Sequence, residues 1–417
     1  MVCSWVAQFI AVKQLDFLSD LQSVLRTERA FVLAFTFGNF VIGTGVMLVP
    51  GLLVVLSNDL GATVPQTALL ITIAAIGMCI GSPVLATLTS RIDRRTLLTG
   101  SLALYALGHA LCALAPNLTV LIIVRSVTML GAAVFTPQAA ATLGLVIAPE
   151  RRGGAITAVF LGWSVASVFG SPAAAWLGAH IGWRWTFAAF ALVCVIGVVW
   201  VYRVVPRGLH GVALSRDAWI RVLKHPALIA ILLVTAVSAS GQFTTFAYIA
   251  PFVGTLLDPS PNTLSLALVL FGAAGIVGNV WATRRIARAG ASSNVAISLM
   301  SMLIGMTVLA ISGAWFVAFV VGILAWGAGI FANNSSQQAR LVMASPELSG
   351  ASIALNTSMI YLGQAIGTTF GGAVIAAAGY RWLPACGAVV LVVALALSWR
   401  ADRQASKVTT ALSRNDA

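Results

Sequence analysis

The sequence predicts an all-α membrane protein: twelve transmembrane helices in two six-helix halves related by a parallel repeat. Three observations carry this prediction. Hydrophobic types make up 59% of the 417 residues and charged types only 8%, with a mean hydropathy of +0.98. A water-facing domain carries about 25% charge. The apolar residues fall in continuous runs near the roughly 20 residues that cross a bilayer as a helix, without the alternation of a membrane barrel. The second half of the chain also repeats the first in the same order.

The first six spans are expected near 30–56, 64–88, 96–115, 118–147, 154–180 and 185–203. Six more are expected near 227–256, 263–283, 293–313, 315–344, 350–378 and 382–400. The chain then divides into an N-terminal extension (1–29), a first half (30–203), a central loop (204–226), a second half (227–400) and a tail (401–417). "LDFLSDLQSVLRTER" in the extension reads as a short amphipathic surface helix. The extension lacks a basic n-region and an A-x-A-like site, so no cleaved signal is expected.

The net charge of +13 is a topology signal and calls for no nucleic-acid partner. Alternate connections collect the cations: Arg91, Arg94 and Arg95, then Arg151 and Arg152, then Arg203 to Lys224, then Arg284, Arg285 and Arg288, with both termini on the same side. The opposite side has Arg184 and Arg381. The positive-inside rule puts the basic side and both termini in the cytoplasm. Four of the five cysteines lie in apolar runs and none forms a CxxC pair, which reads as small buried hydrophobes. No phosphate loop, metal-ligand cluster or nucleophile–base set is present. An enzyme is not expected, nor a cofactor or bound metal.

The repeat has an offset of 196–197 residues. "GAAVFTPQ" at 131 meets "GAGIFANN" at 327, "APERRGGAI" at 148 meets "SPELSGASI" at 345, Gly170 meets Gly367, and "GWRW" at 182 meets "GYRW" at 379. Six spans per copy preserve sidedness, as in transporters built from two parallel halves. In the last motif the glycine allows a tight reversal. Trp183, Trp185, Tyr380 and Trp382 suit the interfacial belt, and Arg184 and Arg381 can reach headgroups or helix C-terminal carbonyls.

Further stretches carry a resemblance. "GTGVMLVPGLLVVLSNDL" (43–60), "LTSRIDRRTLL" (88–98), "RSVTMLGAA" (125–133), "GSPAAAWLGAHIGWRWTF" (170–187) and "GQFTTFAYIAPF" (241–252) fall in order in the expected spans. Together they resemble the twelve-span drug/sugar-efflux antiporter branch of the major facilitator superfamily, over about residues 30–400. The resemblance implies a monomeric, multi-pass inner (plasma) membrane protein that exports a small molecule by alternating access, with protons as the coupling ion. It also implies a cavity lined by spans 1, 4, 7 and 10. Ser90 stands at the acidic position of the loop 2–3 motif, where Asp93 and Arg94 are the candidates for the family's lock between halves. Val46 stands where span 1 of the branch has its proton-carrying carboxylate.

All eleven acids fall in loops, tails or span ends, whereas proton relays generally use intramembrane Asp, Glu or His. His109 and the displaced acid Asp59 remain as proton candidates. Arg125, inside span 4, is read as a clamp on span-1 carbonyls or as a cavity charge. Gly162, Gly170 and Pro172 in span 5 permit close helix approach and a bend.

Polar side chains in the four cavity spans are candidate substrate ligands. They are Asn39 and Thr44, Thr128 and Gln138, Gln242, Thr245 and Tyr248, and Asn334 and Gln338. Interhelical bonding explains them equally well, since an amide in lipid needs a partner. Gln242, Asn334 and Gln338 are expected to approach one central cavity from opposite halves. An amide-rich, neutral pocket suits a sugar, a nucleoside or a neutral drug, as in multidrug resistance. An uncoupled facilitator, or a membrane sensor that keeps the fold without transporting, are the alternatives.

The split of Lys and Arg makes a first prediction. A phosphatase fused after Ala417 is expected to be inactive, because it stays in the cytoplasm. An active, periplasmic fusion would overturn the orientation.

Overall fold

The structure is a computed structural model. It describes residues 2–211, 216–257 and 260–415, and within them all side chains except those of 2–27, 149–150, 152–154, 156–157, 216, 287 and 404–415. Asp258 therefore lies outside the described residues, as do the side chains of Lys13, Arg26, Lys407 and Arg414.

Twelve helices are long and apolar enough to cross a bilayer. Spans 1–6 are Glu28–Asp59, Val64–Leu88, Arg94–Ala113, Leu118–Val146, Ala158–Ile181 and Trp183–Val204. Spans 7–12 are Pro226–Phe246, Pro261–Ile286, Ala291–Ser312, Phe316–Ala344, Pro346–Ala378 and Tyr380–Arg403. The number and order are those expected from the sequence. The helix of span 1 runs unbroken from Val2, so the extension continues that helix.

Two spans depart from one straight helix. Span 7 was expected to run to 256, yet it stops at Phe246 and a separate helix covers Ile249–Leu256. Pro251 has no N–H to return to the carbonyl four residues earlier, and proline disfavours helical backbone just before it. Span 5 contains a five-residue π-helical segment, Ala166–Gly170, just before Pro172. Such bulges widen one turn and re-aim the side chains beyond it.

The repeat in the letters is a repeat in space. Gly182 and Gly379 both turn the chain at φ near +85° (85° and 86°), a conformation that a side chain would strain. In span 5, Gly170 is pressed against Thr44 of span 1; in span 11, Gly367 is pressed against Ser240 of span 7. Each half therefore crosses its first and fifth helices at the same glycine. The rest of the turn is not duplicated. Trp183 does not sit in an interfacial belt: it is 2% exposed and donates from Nε1 to Asp59 Oδ2 at 2.7 Å. Trp185 and Trp382 are exposed, as that belt requires. Arg184 pairs with Asp59 at 2.6 Å and reaches the Ala115 carbonyl beyond span 3.

The halves meet through spans 2 and 11 and through spans 5 and 8. On the face away from the termini, spans 5 and 8 touch. Ser265 donates to the Pro172 carbonyl at 3.3 Å, and a side chain on Gly272 would lie 2.7 Å from the Ser167 and Val168 backbone. Toward the basic face the same two helices part, with Trp163 and Ser164 on one wall of a cavity and Asn279 and Thr283 on the other.

Gly272→Val is expected to wedge spans 5 and 8 apart on the closed face. Spin labels at Ala62→Cys and Ala314→Cys, in loops of that face on opposite halves, are expected to move apart by several ångströms in the variant. An unchanged distance distribution would show that this crossing does not hold the face shut.

Candidate functional site

The cavity between the halves has a volume of about 270 Å³, near the small end of the range for small-molecule pockets. Span 1 supplies Val46, Met47 and Pro50; span 4, Thr136; span 5, Phe160, Trp163 and Ser164. The second half supplies Phe243 and Phe246 from span 7 and Asn279 and Thr283 from span 8. It adds Asn334, Ser335 and Gln338 from span 10, and Thr357, Tyr361 and Gln364 from span 11. Among the described residues, none that lines it carries a charge. The polar groups are amides, hydroxyls and an indole, set among aromatic rings.

The amides of the second half bond partly to one another. Gln338 Nε2 donates to Asn334 Oδ1 at 3.3 Å, and Ser335 Oγ donates to Asn279 Oδ1 at 2.7 Å. In the first half Thr136 Oγ1 donates to Asn39 Oδ1 at 2.7 Å, while Asn39 Nδ2 donates to the Val159 carbonyl. Asn39 thus stands behind the wall and orients Thr136.

Of the candidate ligands, Asn334 and Gln338 line the cavity. Gln242 does not; it is 8% exposed, and its Oε1 finds no partner among the described residues. All three belong to the second half, so they cannot approach from opposite halves as the sequence reading had them. Thr44 is packed on Gly170 behind the wall. Thr128 bonds the Val124 carbonyl of its own helix and packs on Gly108. Thr245 lies against Met306 Sδ at 3.6 Å. Tyr248 donates to the Thr368 carbonyl at 2.8 Å, tying span 7 to span 11. Gln138 accepts from Arg94 Nη1 at the basic end of span 4. In this conformation these residues join helices.

Arg125 is 2% exposed and donates to the Gly45 carbonyl at 2.9 Å, with the Val46 carbonyl at 3.5 Å. It is a clamp on span 1 and does not line the cavity. His109 is fully buried among Tyr105, Phe187 and Phe190, with Nδ1 at 2.7 Å from the Tyr105 carbonyl oxygen. Asp59 is held by Trp183 and Arg184. Neither proton candidate touches the cavity, and Val46 leaves the span-1 wall aliphatic.

Asp93 caps span 3 by accepting from Thr96 N at 3.2 Å, and its second oxygen accepts from Gly208 N at 2.6 Å. Arg94 N donates to the Leu209 carbonyl at 2.8 Å. The Asp93–Arg94 pair therefore binds the start of the central loop to loop 2–3. Partial burial pushes the Asp93 carboxyl up, but the amides of Thr96, Gly208 and Arg95, and the nearby His210, hold it below the usual carboxylate value.

Sequence reasoning confined to spans 1, 4, 7 and 10 missed the lining residues of spans 5, 8 and 11. A spacing signal existed. Asn279 and Thr283 are four residues apart, and Thr357, Tyr361 and Gln364 stand at i, i+4 and i+7, each set on one helical face.

The sequence profile of the Major Facilitator Superfamily matches residues 35–339 and 231–415. The chain is 31% identical to the "Inner membrane transport protein YdhP" of Escherichia coli K12, over 89% of this chain and 96% of that one. It is 31% identical to a "Chloramphenicol resistance protein" of Streptomyces lividans, over 75% of this chain and 82% of that one. The crystal structure of a D-xylose-proton symporter superposes with a TM-score of 0.73 at 17% identity, over 89% of this chain and 97% of that one.

A depressed carboxyl stabilises the docked loop fully above the unfolded-state value of about 3.9, and that stabilisation is lost as pH falls through the folded value. The hydrogen-exchange protection of Gly208 is expected to hold from neutral pH down to about 3.9 and to fall below it. Asp93→Asn is expected to lower that protection several-fold at neutral pH. Equal protection in the variant would show that the loop docks without the carboxylate.

Proposed function

We propose that this chain, which belongs to the Major Facilitator Superfamily, exports small neutral or amphipathic molecules from the cytoplasm by alternating access. One observation carries the substrate class: among the described residues, the cavity is lined by amides, hydroxyls and aromatic rings and by no charged side chain. A charged substrate would be desolvated there without a counter-charge, at a cost of several kcal/mol. A neutral solute with several oxygens loses little, because amides and hydroxyls replace its water. The similarity to a chloramphenicol resistance protein fits a neutral, partly aromatic drug, and the cavity volume admits one.

The contacts between spans 5 and 8 support alternating access. They seal the face away from the termini, while the same helices part on the basic face. The two halves can rock about that crossing, as parallel-repeat transporters do. The absence of a carboxylate in the cavity wall favours a second reading for the energetics: facilitated movement along the solute's own gradient.

Flux in proteoliposomes tests the proposal with chloramphenicol, xylose and uridine as probes. The wild type is expected to move at least one of them, with little dependence on an imposed pH difference. Asn334→Leu is expected to cut that flux at least tenfold with an unchanged melting temperature. Failure to move any probe would overturn the substrate class. Uphill movement driven by the pH difference would show a proton site that the cavity does not reveal, and flux surviving Asn334→Leu would make that amide only an interhelical contact.

A further inference from the structure

The repeat is incomplete on the face away from the termini. In the first half, Arg184 at the start of span 6 pairs there with Asp59, the last residue of span 1. It also reaches the Ala115 carbonyl beyond span 3, while Trp183 donates to the same carboxylate. At the repeat offset of 196–197 residues, Tyr380 stands for Trp183 and Arg381 for Arg184, whereas Asp59 falls on Thr255 or Leu256. The second half thus has the donors without the acceptor. Arg381 is exposed, and its guanidinium has neither hydrogen bond nor ion pair among the described residues.

These residues line one cleft of about 410 Å³. Its walls are Thr255 and Leu256 at the end of the helix after span 7, Gly313 and Ala314 after span 9, and Tyr380 and Arg381 at the start of span 12. The corresponding chain ends of the first half carry Asp59, Ala115 and Arg184. Among the described residues, Arg381 is the charged one that lines the cleft. Trp315, Phe316 and Trp382 nearby in the chain are exposed, as in the belt where lipid headgroups lie.

We propose that this cleft is an oxyanion site, in which the phosphate of an anionic membrane lipid takes the place that the Asp59 carboxylate fills in the first half. The planar fork of a guanidinium matches phosphate and carboxylate oxygens. Helix C-termini disfavour an anion. Asp59 nevertheless sits at one, because Trp183 and Arg184 donate to it at 2.7 and 2.6 Å. Tyr380 and Arg381 are the equivalent donors, since a phenol can donate as an indole does. The exposed aromatic rim selects the source, because a free ion gains nothing from it. Bound there, the headgroup joins the ends of spans 7, 9 and 12 as Asp59 and Arg184 join those of spans 1, 3 and 6. The first half then fastens its closed face with its own residues, and the second half does so with the bilayer.

The test places the full chain in nanodiscs of phosphatidylcholine, with and without phosphatidylglycerol. It reads hydrogen exchange at the Trp315 and Gly379 amides, which bond the Ser312 and Ile375 carbonyls beside the cleft. Phosphatidylglycerol is expected to raise their protection several-fold. Arg381→Gln is expected to match the wild type in phosphatidylcholine and to lose that gain. Arg288→Gln, which removes an exposed cation on the basic face, is expected to keep it. Thr255→Asp puts an acid into the cleft and is expected to give the protected state in phosphatidylcholine alone. Wild-type protection indifferent to phosphatidylglycerol, or a gain retained in Arg381→Gln, would overturn the site. A gain lost equally in Arg288→Gln would assign it to surface charge in general and overturn the site as well. Inorganic phosphate added to phosphatidylcholine discs is expected to change nothing; the same gain from it would make the occupant the free ion and overturn the lipid. Asp258→Asn, at a position outside the described residues, is expected to leave protection in phosphatidylcholine unchanged. A fall would make Asp258 the acceptor and overturn the proposal.

Discussion

Backbone-to-backbone contact through glycine is the constraint on which the rest of this structure depends. In a membrane the hydrophobic effect does not drive helices together, so close approach and polar contacts must do so. Gly162 lies on the backbone of Thr36 and Phe40, Gly363 on that of Ala236 and Ser240, and Gly272 on that of Ser167 and Val168. The first two crossings bind span 5 to span 1 and span 11 to span 7. The third joins the halves. Once these faces are committed to neighbours, the faces left over on spans 1, 5, 8, 10 and 11 have only the cavity to look into. Its lining follows from where the chain has no side chain as much as from where it has polar ones.

The twelve spans were legible because each is a composition signal that lipid enforces locally. The duplication was legible because the Gly170 and Gly367 crossings and the Gly182 and Gly379 turns need glycine in both copies, so those letters persist. The fates of the polar residues were not legible. Gln138, Tyr248 and Asn334 look alike in a hydropathy trace. One is taken by Arg94, one by the Thr368 carbonyl, and one faces the cavity. The choice depends on helix rotation and on partners more than 40 residues away, which periodicity does not encode. The same applies to Trp183. As a letter at a span end it reads as an interfacial anchor. In space its N–H is needed by Asp59, and burial follows.

Hydrogen-bond supply also separates the halves. The second half offers two hydrogen-bonded pairs, Gln338 with Asn334 and Ser335 with Asn279, and the amide of Gln364 beside them. Such a wall tolerates different arrangements of hydroxyl and carbonyl groups. The first half offers a mostly aliphatic and aromatic wall, on which Thr136 is already bonded to Asn39. A polar wall on one side and a mostly apolar one on the other suits neutral molecules with one apolar face and one oxygen-bearing face.

Arg125 shows what valine at position 46 means for span 1. Its guanidinium is buried and donates to the Gly45 carbonyl, while Nε and Nη1 have no partner among the described residues. With a carboxylate at position 46, the cation beside it would interact differently with the protonated and ionised forms, so a proton would be felt at the helix crossing. With valine there, the guanidinium donates to the Gly45 carbonyl, a dipole that does not change with pH. The Arg125 clamp then becomes a fixed fastening between spans 1 and 4. On the facilitator reading proposed above, what moves the halves is the substrate itself, acting through the contacts it makes with each wall. On that reading, Val46 and the neutral lining of the cavity belong together: among the described residues no carboxylate, imidazole or cation lines the site, and the hydrogen bonds of the cargo set its work.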